Sequence, residues 1–176
     1  MTSGDNGQRQ ISADDVKRLR EETGAGVMDC KRALEEAKGD FDGAKQVLQE
    51  KGVASAAKRA GRETMQGLVE SYIHAGGRIG VIVEVNCETD FVARTDDFKK
   101  LAHDIAMQVA GCPTTLAVSE EELPPDAEGT VEETVLLKQP FIRDGSRTIE
   151  QIVQDAIAKT GENIRIRRFA RFELGQ

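Results

Sequence analysis

Two histidines, His74 and His103, and three cysteines, Cys30, Cys87 and Cys112, are the side chains best able to hold a metal or attack a substrate. They stand far apart in the chain, with no C-x-x-C pair and no carboxylate cluster at ligand spacing, so neither a metal site nor a disulfide framework is expected. Gly24-Ala25-Gly26 begins like a dinucleotide-binding loop, yet helix signals precede it and Asp29 occupies the third glycine position. The sequence contains no G-x-x-x-x-G-K-S/T and no G-x-S-x-G, the loops that cradle phosphate or sharpen a nucleophilic serine. Side-chain catalysis and a cofactor are therefore not expected. Arg165, Arg167, Arg168 and Arg171 carry charge that suits phosphate, but at alternating strand positions they read more simply as a solvated sheet face than as a nucleic-acid surface.

One apolar residue stands out. Thr89-Asp90-Phe91-Val92 falls between a strand and a helix, where connections tend to be exposed. The chain is poor in aromatics, with six Phe, one Tyr and no Trp. A ring at Phe91 has two readings: tucked into the local core, which composition alone favours, or held out as a docking group.

The elements that must position these residues follow from caps and periodicity. Ser12 with Asp15 three residues on, and Val16 placed to staple against Ile11, start a helix over about residues 13–22. Gly24 and Gly26 stop it, and Val27, Met28, Ala33, Leu34 and Ala37 recur at helical spacing until Gly39. Asp40 caps a third helix with Phe41, Ala44, Val47 and Leu48 inward, ending at Gly52. The Ala-rich, basic run 53–62 predicts a helical connector. At about Gly67 the period changes to two: Leu68–His74 and Ile79–Cys87 flank a Gly-Gly turn and predict a β-hairpin. Thr95 caps a helix carrying Phe98, Leu101, Ala102, Ile105 and Val109 inward. Residues 112–130 look least regular, a short helix is expected over 131–138, and Thr148 with Gln151 boxes another helix that Gly161 closes. Ile164–Leu174 alternates apolar and polar, apart from an inversion at Arg168-Phe169, and predicts a third strand antiparallel to the hairpin.

The 176 residues carry a net charge of -7, with 7 acidic and 1 basic side chains over residues 111–140 alone. The cluster Glu120, Glu121, Glu122, Asp126 and Glu128 reads as a solvated loop, and the overall acidity argues against a general nucleic-acid or anionic-membrane binder. Unpaired cysteines suit a reducing cytosol, the polar N-terminus does not look like a signal peptide, and no apolar run reaches the ~18 residues that span a bilayer. The expected organisation is a flexible tail over 1–10, a three-helix module over 11–52, a helical linker over 53–66 and an α+β core over 67–176. In that core a three-stranded antiparallel sheet packs with helices.

Three stretches carry a family resemblance: Val16 through Leu34 with its Thr23-Gly24-Ala25-Gly26-Val27-Met28 centre, Val85 through Arg94, and Gly161 through Phe169. Over about residue 11 to the end the sequence resembles the bacterial translation elongation factor Ts family. The resemblance implies a guanine-nucleotide exchange factor, not an enzyme, that binds elongation factor Tu and promotes GDP release. It also implies that the three-helix module is ubiquitin-associated-like and docks on the partner GTPase through Arg20, Val27, Met28 and Lys31. Val27 stands where the family more usually has Met. Thr89, Asp90, Phe91 and Val92 match the segment with which the family disturbs the partner's magnesium site, and His74 matches a position at a further partner interface. The sequence is similar to short family members that pair two chains, so a homodimer is expected. Ala170 stands where a short relative has cysteine, which leaves no disulfide there, and the stretch 120–133 is shorter than in relatives. Two other classes of function are compatible with the residues: a ubiquitin-like adaptor using the three-helix module, or an RNA-binding protein using the Arg-rich strand.

Overall fold

A computed structural model describes residues 11–175; the tail expected over 1–10 lies outside them. Helix α1 spans Ala13–Thr23. Ser12 and Asp15 form the reciprocal capping box, and Gly24 closes the helix in the left-handed conformation at φ 70°, which glycine adopts without a steric cost. Helix α2 spans Val27–Glu36. Helix α3 spans Phe41–Arg59, with the Asp40 carboxylate accepting from the Gly43 N–H. Leu19, Cys30, Ala33, Leu34 and Ala44 are fully buried between the three helices, with Ile11, Val16, Phe41, Val47 and Leu48 packed around them.

The hairpin strands are β1, Gln66–Ile73, and β2, Ile79–Cys87, paired antiparallel. A one-turn helix α4, Asp90–Ala93, follows, then α5, Asp96–Gly111, capped by the Thr95 hydroxyl. The segment after α5 is better ordered than its composition suggests. Ala117 bridges Val135 in parallel, and Glu120–Glu122 makes one tight, exposed helical turn. The helix expected over 131–138 is broken: α6 covers only Val131–Thr134, because Val135 turns extended to meet Ala117 before a second tight turn at Leu136–Lys138. A small hairpin of β3, Pro140–Phe141, and β4, Asp144–Thr148, has no signature in the sequence, since its strands are too short and polar to show a period of two. Helix α7 spans Ile149–Thr160 with its Thr148–Gln151 box, closed by left-handed Gly161. Strand β5, Ile164–Glu173, completes a sheet in the order β1-β2-β5, antiparallel throughout.

The fold class is thus α+β, as the patterning indicates. Val81, Val83, Val85, Cys87, Ile164 and Ile166 form the inner sheet face, against which α5 lays Phe98, Leu101, Ala102, Ile105 and Val109, with Ile149, Val153 and Ile157 of α7 beside them. The inversion at Arg168-Phe169 is a β-bulge: Glu84 pairs with Arg168 and Val85 with Ile166, leaving Arg167 as the extra residue. Buried Gln108 fastens the 112–142 region to α5. Its amide donates to Gln139 Oε1 at 3.1 Å and to the Pro140 carbonyl at 3.2 Å, and its Oε1 accepts from the Ile142 N–H at 2.8 Å.

A second helix boundary also differs from the expectation. Gly52 does not end the third helix; α3 runs through it to Arg59, so the expected connector is mostly the same rod continued. Gly52 is buried, and a methyl there would lie 4.0 Å from the Ala158 methyl of α7. That is an ordinary van der Waals contact, so the packing leaves room for one more carbon at that position. No described helix is long and apolar enough to cross a membrane.

Candidate partner-docking site

Strand β2 ends in the core at Cys87, whose burial pushes its thiol up to about 11, with the Glu162 carboxylate adding to the effect. The thiol stays neutral and donates to the Thr89 carbonyl at 3.1 Å. Thr89 then caps α4, its hydroxyl accepting from the Val92 N–H at 3.3 Å. Within that turn Val92 and Ala93 face the core, whereas Phe91 is 78% exposed. The segment is therefore a helical turn rather than an open loop, and the core reading of Phe91 that composition favours is wrong. Burial of Val92 and Ala93 leaves the ring no inward path, because neighbours on a single helical turn point in different directions.

The turn is tied from behind by the connection between α7 and β5. Glu162 Oε2 accepts from the backbone N–H groups of Glu88 and Thr89 at 3.1 and 3.0 Å, and its Oε1 accepts from the Thr89 hydroxyl at 2.6 Å. In return Glu88 Oε1 accepts from the Asn163 N–H at 2.6 Å and from Arg62 at 3.3 Å. The Asn163 N–H is the main cause holding the Glu88 carboxyl below its usual range, with Arg62 assisting. The Asn163 amide donates to the Arg62 carbonyl at 2.9 Å, and Arg59 Nε donates to the Gly161 carbonyl at 2.8 Å. Sequence reasoning misses Glu162, Asn163 and Glu88 as site residues. The one local signal is a carboxylate directly after the glycine that closes α7, but its partners lie more than 70 positions away.

Of the four residues expected to touch a partner at this turn, Asp90 and Phe91 face solvent, Thr89 is exposed with its hydroxyl committed to the cap, and Val92 is in the core. Asp90 pairs with Arg94 at 2.8 Å, both largely exposed, so the pair adds little stability. Val27 and Met28 open α2 as exposed apolar residues, Met28 at 62%, and Lys31 lies one turn on, paired with Glu35 at 3.8 Å. Arg20 is exposed in the last turn of α1. His74 follows β1, exposed, with Nδ1 3.2 Å from the Tyr72 hydroxyl. His103, which the sequence places far from His74, packs edge-on to the same Tyr72 ring at 5.6 Å and reaches Glu70 at 3.4 Å. The two histidines are thus neighbours through a shared ring. Among the described residues no group of three or more His, Cys, Asp or Glu could hold a metal ion.

A helical module thus runs through one long helix into an α+β core, with an aromatic ring held outward on a capped turn beside it, the layout of a binding module rather than of a catalytic cleft. The family model for elongation factor TS matches residues 42–128, from α3 through the Phe91 turn and the acidic segment. The chain is 51% identical over 197 aligned positions to elongation factor Ts of Thermosynechococcus vestitus, covering 95% of this chain and 66% of that relative. It is 49% identical to elongation factor Ts of Carboxydothermus hydrogenoformans over 94% of this chain and 90% of the relative. The Synechocystis protein of the same name is 48% identical, over 95% of this chain and 90% of its own length. The chain belongs to the elongation factor Ts family. An alignment of 197 positions is longer than the 176-residue chain, so these relatives carry residues that this chain lacks.

Proposed function

We propose that this protein is a guanine-nucleotide exchange factor of translation elongation that binds elongation factor Tu in the cytoplasm and promotes release of its GDP. The observation that carries this reading is Phe91, a ring 78% exposed on a turn whose start is anchored by Glu162 and Asn163, in a chain of this family. Inserted between packed residues of the GTPase, the ring shifts the groups that hold the partner's magnesium, and the diphosphate then sits with less compensating charge. Asp90 shares the exposed face, while Thr89 and Val92 keep the turn in shape. Arg20, Val27, Met28 and Lys31 form the second docking surface, and His74 is assigned to a further contact of the core.

Burying one Phe contributes roughly 1.5–3 kcal/mol, and each ~1.4 kcal/mol is tenfold in affinity. Phe91 then accounts for about ten- to a hundredfold of the weakening of GDP, and the second surface must supply the rest. By linkage, GDP weakens this protein's binding as much as this protein weakens GDP, so the tightest complex forms with nucleotide-free partner. The direct test is the release rate of a fluorescent GDP analogue from elongation factor Tu with and without this protein. Acceleration at micromolar concentration is expected, and an unchanged rate contradicts the reading.

We also propose a homodimer. The outer face of the β1-β2-β5 sheet exposes Ile73, Ile82 and Phe172 on neighbouring rows, with Leu174 just past β5 and Val69 further along β1 beside the Glu84–Arg168 pair, and no described element covers it. A contiguous apolar face of this kind suits a second copy of the same chain. Ala170 sits opposite Ile82 in that face, so no disulfide links two copies at that position.

A further inference from the structure

The Phe91 ring has little around it to hold it, so its direction is set by the backbone of residues 89–93. That backbone is a single turn whose own bonds are long, 3.3 Å from the Ala93 N–H to the Thr89 carbonyl and 3.2 Å from the Arg94 N–H to the Asp90 carbonyl. A helix this short does not sustain itself in water, because nucleation fixes several residues for one or two bonds. Burial of Val92 and Ala93 holds the inner side of the turn, which leaves its exposed start at Glu88 and Thr89 to be fixed by other contacts.

We propose that Glu162 is the positioning residue for Phe91: its carboxylate holds the start of the turn and thereby aims the ring. The proposal rests on the reading of Phe91 as the docking ring. Both carboxylate oxygens are spent at one place, Oε2 on the Glu88 and Thr89 N–H groups and Oε1 on the Thr89 hydroxyl. Among the described residues that carboxylate bonds to nothing else. Charged acceptors bind N–H and O–H groups more strongly than neutral ones. Because the Thr89 hydroxyl spends its hydrogen on Glu162, its lone pair is left to accept the Val92 N–H, so Glu162 orients the cap as well as the backbone. Glu162 is itself held on a fixed base. Gly161 before it closes α7 and accepts from Arg59, and Asn163 after it bonds to Glu88 and to the Ala60 and Arg62 carbonyls. The same three-residue connection therefore grips the end of α3 and the Phe91 turn, so that the ring is registered against the rod leading to the N-terminal helices.

The test compares single and paired substitutions. Glu162→Ala is expected to lower stimulated GDP release about tenfold, and in a chain already carrying Phe91→Ala to lower it by less than about twofold, since the two act as one unit. Glu162→Gln keeps an acceptor for both N–H groups and is expected to stay within about threefold of the parent chain. Unchanged release in Glu162→Ala, or an equal loss in both backgrounds, overturns the proposal, the latter because it marks general damage to the fold. Amide deuterium uptake by the free chain provides a second readout that does not depend on GDP. Uptake at Glu88 and Thr89 is expected to rise about tenfold in Glu162→Ala, with α5 and α7 unaffected. If the parent chain releases no GDP, the docking role of Phe91 fails, yet faster uptake confined to 88–89 still upholds the tie. Unaltered uptake overturns it.

Discussion

At the scale of single residues, Phe91 and Val92 are sequence neighbours with opposite environments, one in solvent and one in the core. Composition does not separate them, because whether an apolar side chain is buried depends on the turn that carries it. That turn depends on Glu162, 73 positions from Thr89, and no local pattern reports a contact of that range. The paired carboxylate on the other side of the clasp, Glu88, has a pH consequence. Its folded pKa lies below the ordinary 4.5, chiefly through the Asn163 N–H. The stability it contributes is therefore present above 4.5 and is lost as pH falls through the lower folded value. Glu88→Gln is expected to lower Tm at neutral pH, with the difference from the parent chain narrowing as pH falls below 4.5. Thermal melts followed by circular dichroism across that range check it, and a gap independent of pH would contradict the assignment.

At the scale of elements, the legible features are those decided within a few residues. The capping boxes at Ser12 and Thr148, the caps at Asp40 and Thr95, and the inversion that becomes the bulge opposite Glu84–Val85 are all local signals. The hidden features are settled by tertiary contacts: the break at Val135 by Ala117, and the passage of α3 through Gly52 by α7. Two glycines turn this contrast into a measurement. A methyl at Gly52 would make only an ordinary contact, 4.0 Å from Ala158, so Gly52→Ala is expected to raise stability by about 0.5–1 kcal/mol through helix propensity. Gly67 adopts φ 147°, and a methyl there would collide with the Val85 carbonyl across the β1-β2 pair. Gly67→Ala is expected to lower stability by more than about 1 kcal/mol. Denaturant unfolding of the two variants should shift in opposite directions; a loss at Gly52 would mean that α3 and α7 pack too tightly for the extra carbon.

At the scale of the whole molecule, the residues proposed to dock fall into two separate exposed groups. One is on α1 and α2, the other on the turn after β2, and they are linked by α3 and by its bonds to the Gly161–Asn163 connection. The open sheet face is a third surface. With Phe172 67% exposed beside Ile73 and Leu174, light scattering at micromolar concentration is expected to give twice the 19.2 kDa chain mass. Ile82→Asp is expected to reduce it to one chain while α-helical content is retained. A single-chain mass for the parent protein would contradict the dimer.

If the ring on the anchored turn drives nucleotide release, removing the ring must slow that release. The most direct measurement is stopped-flow release of a fluorescent GDP analogue from elongation factor Tu, stimulated by the parent chain and by Phe91→Ala at equal concentration. The stimulated rate is expected to be lower by about ten- to a hundredfold for Phe91→Ala, with the circular dichroism spectrum and Tm unchanged. Equal rates for the two proteins would contradict it.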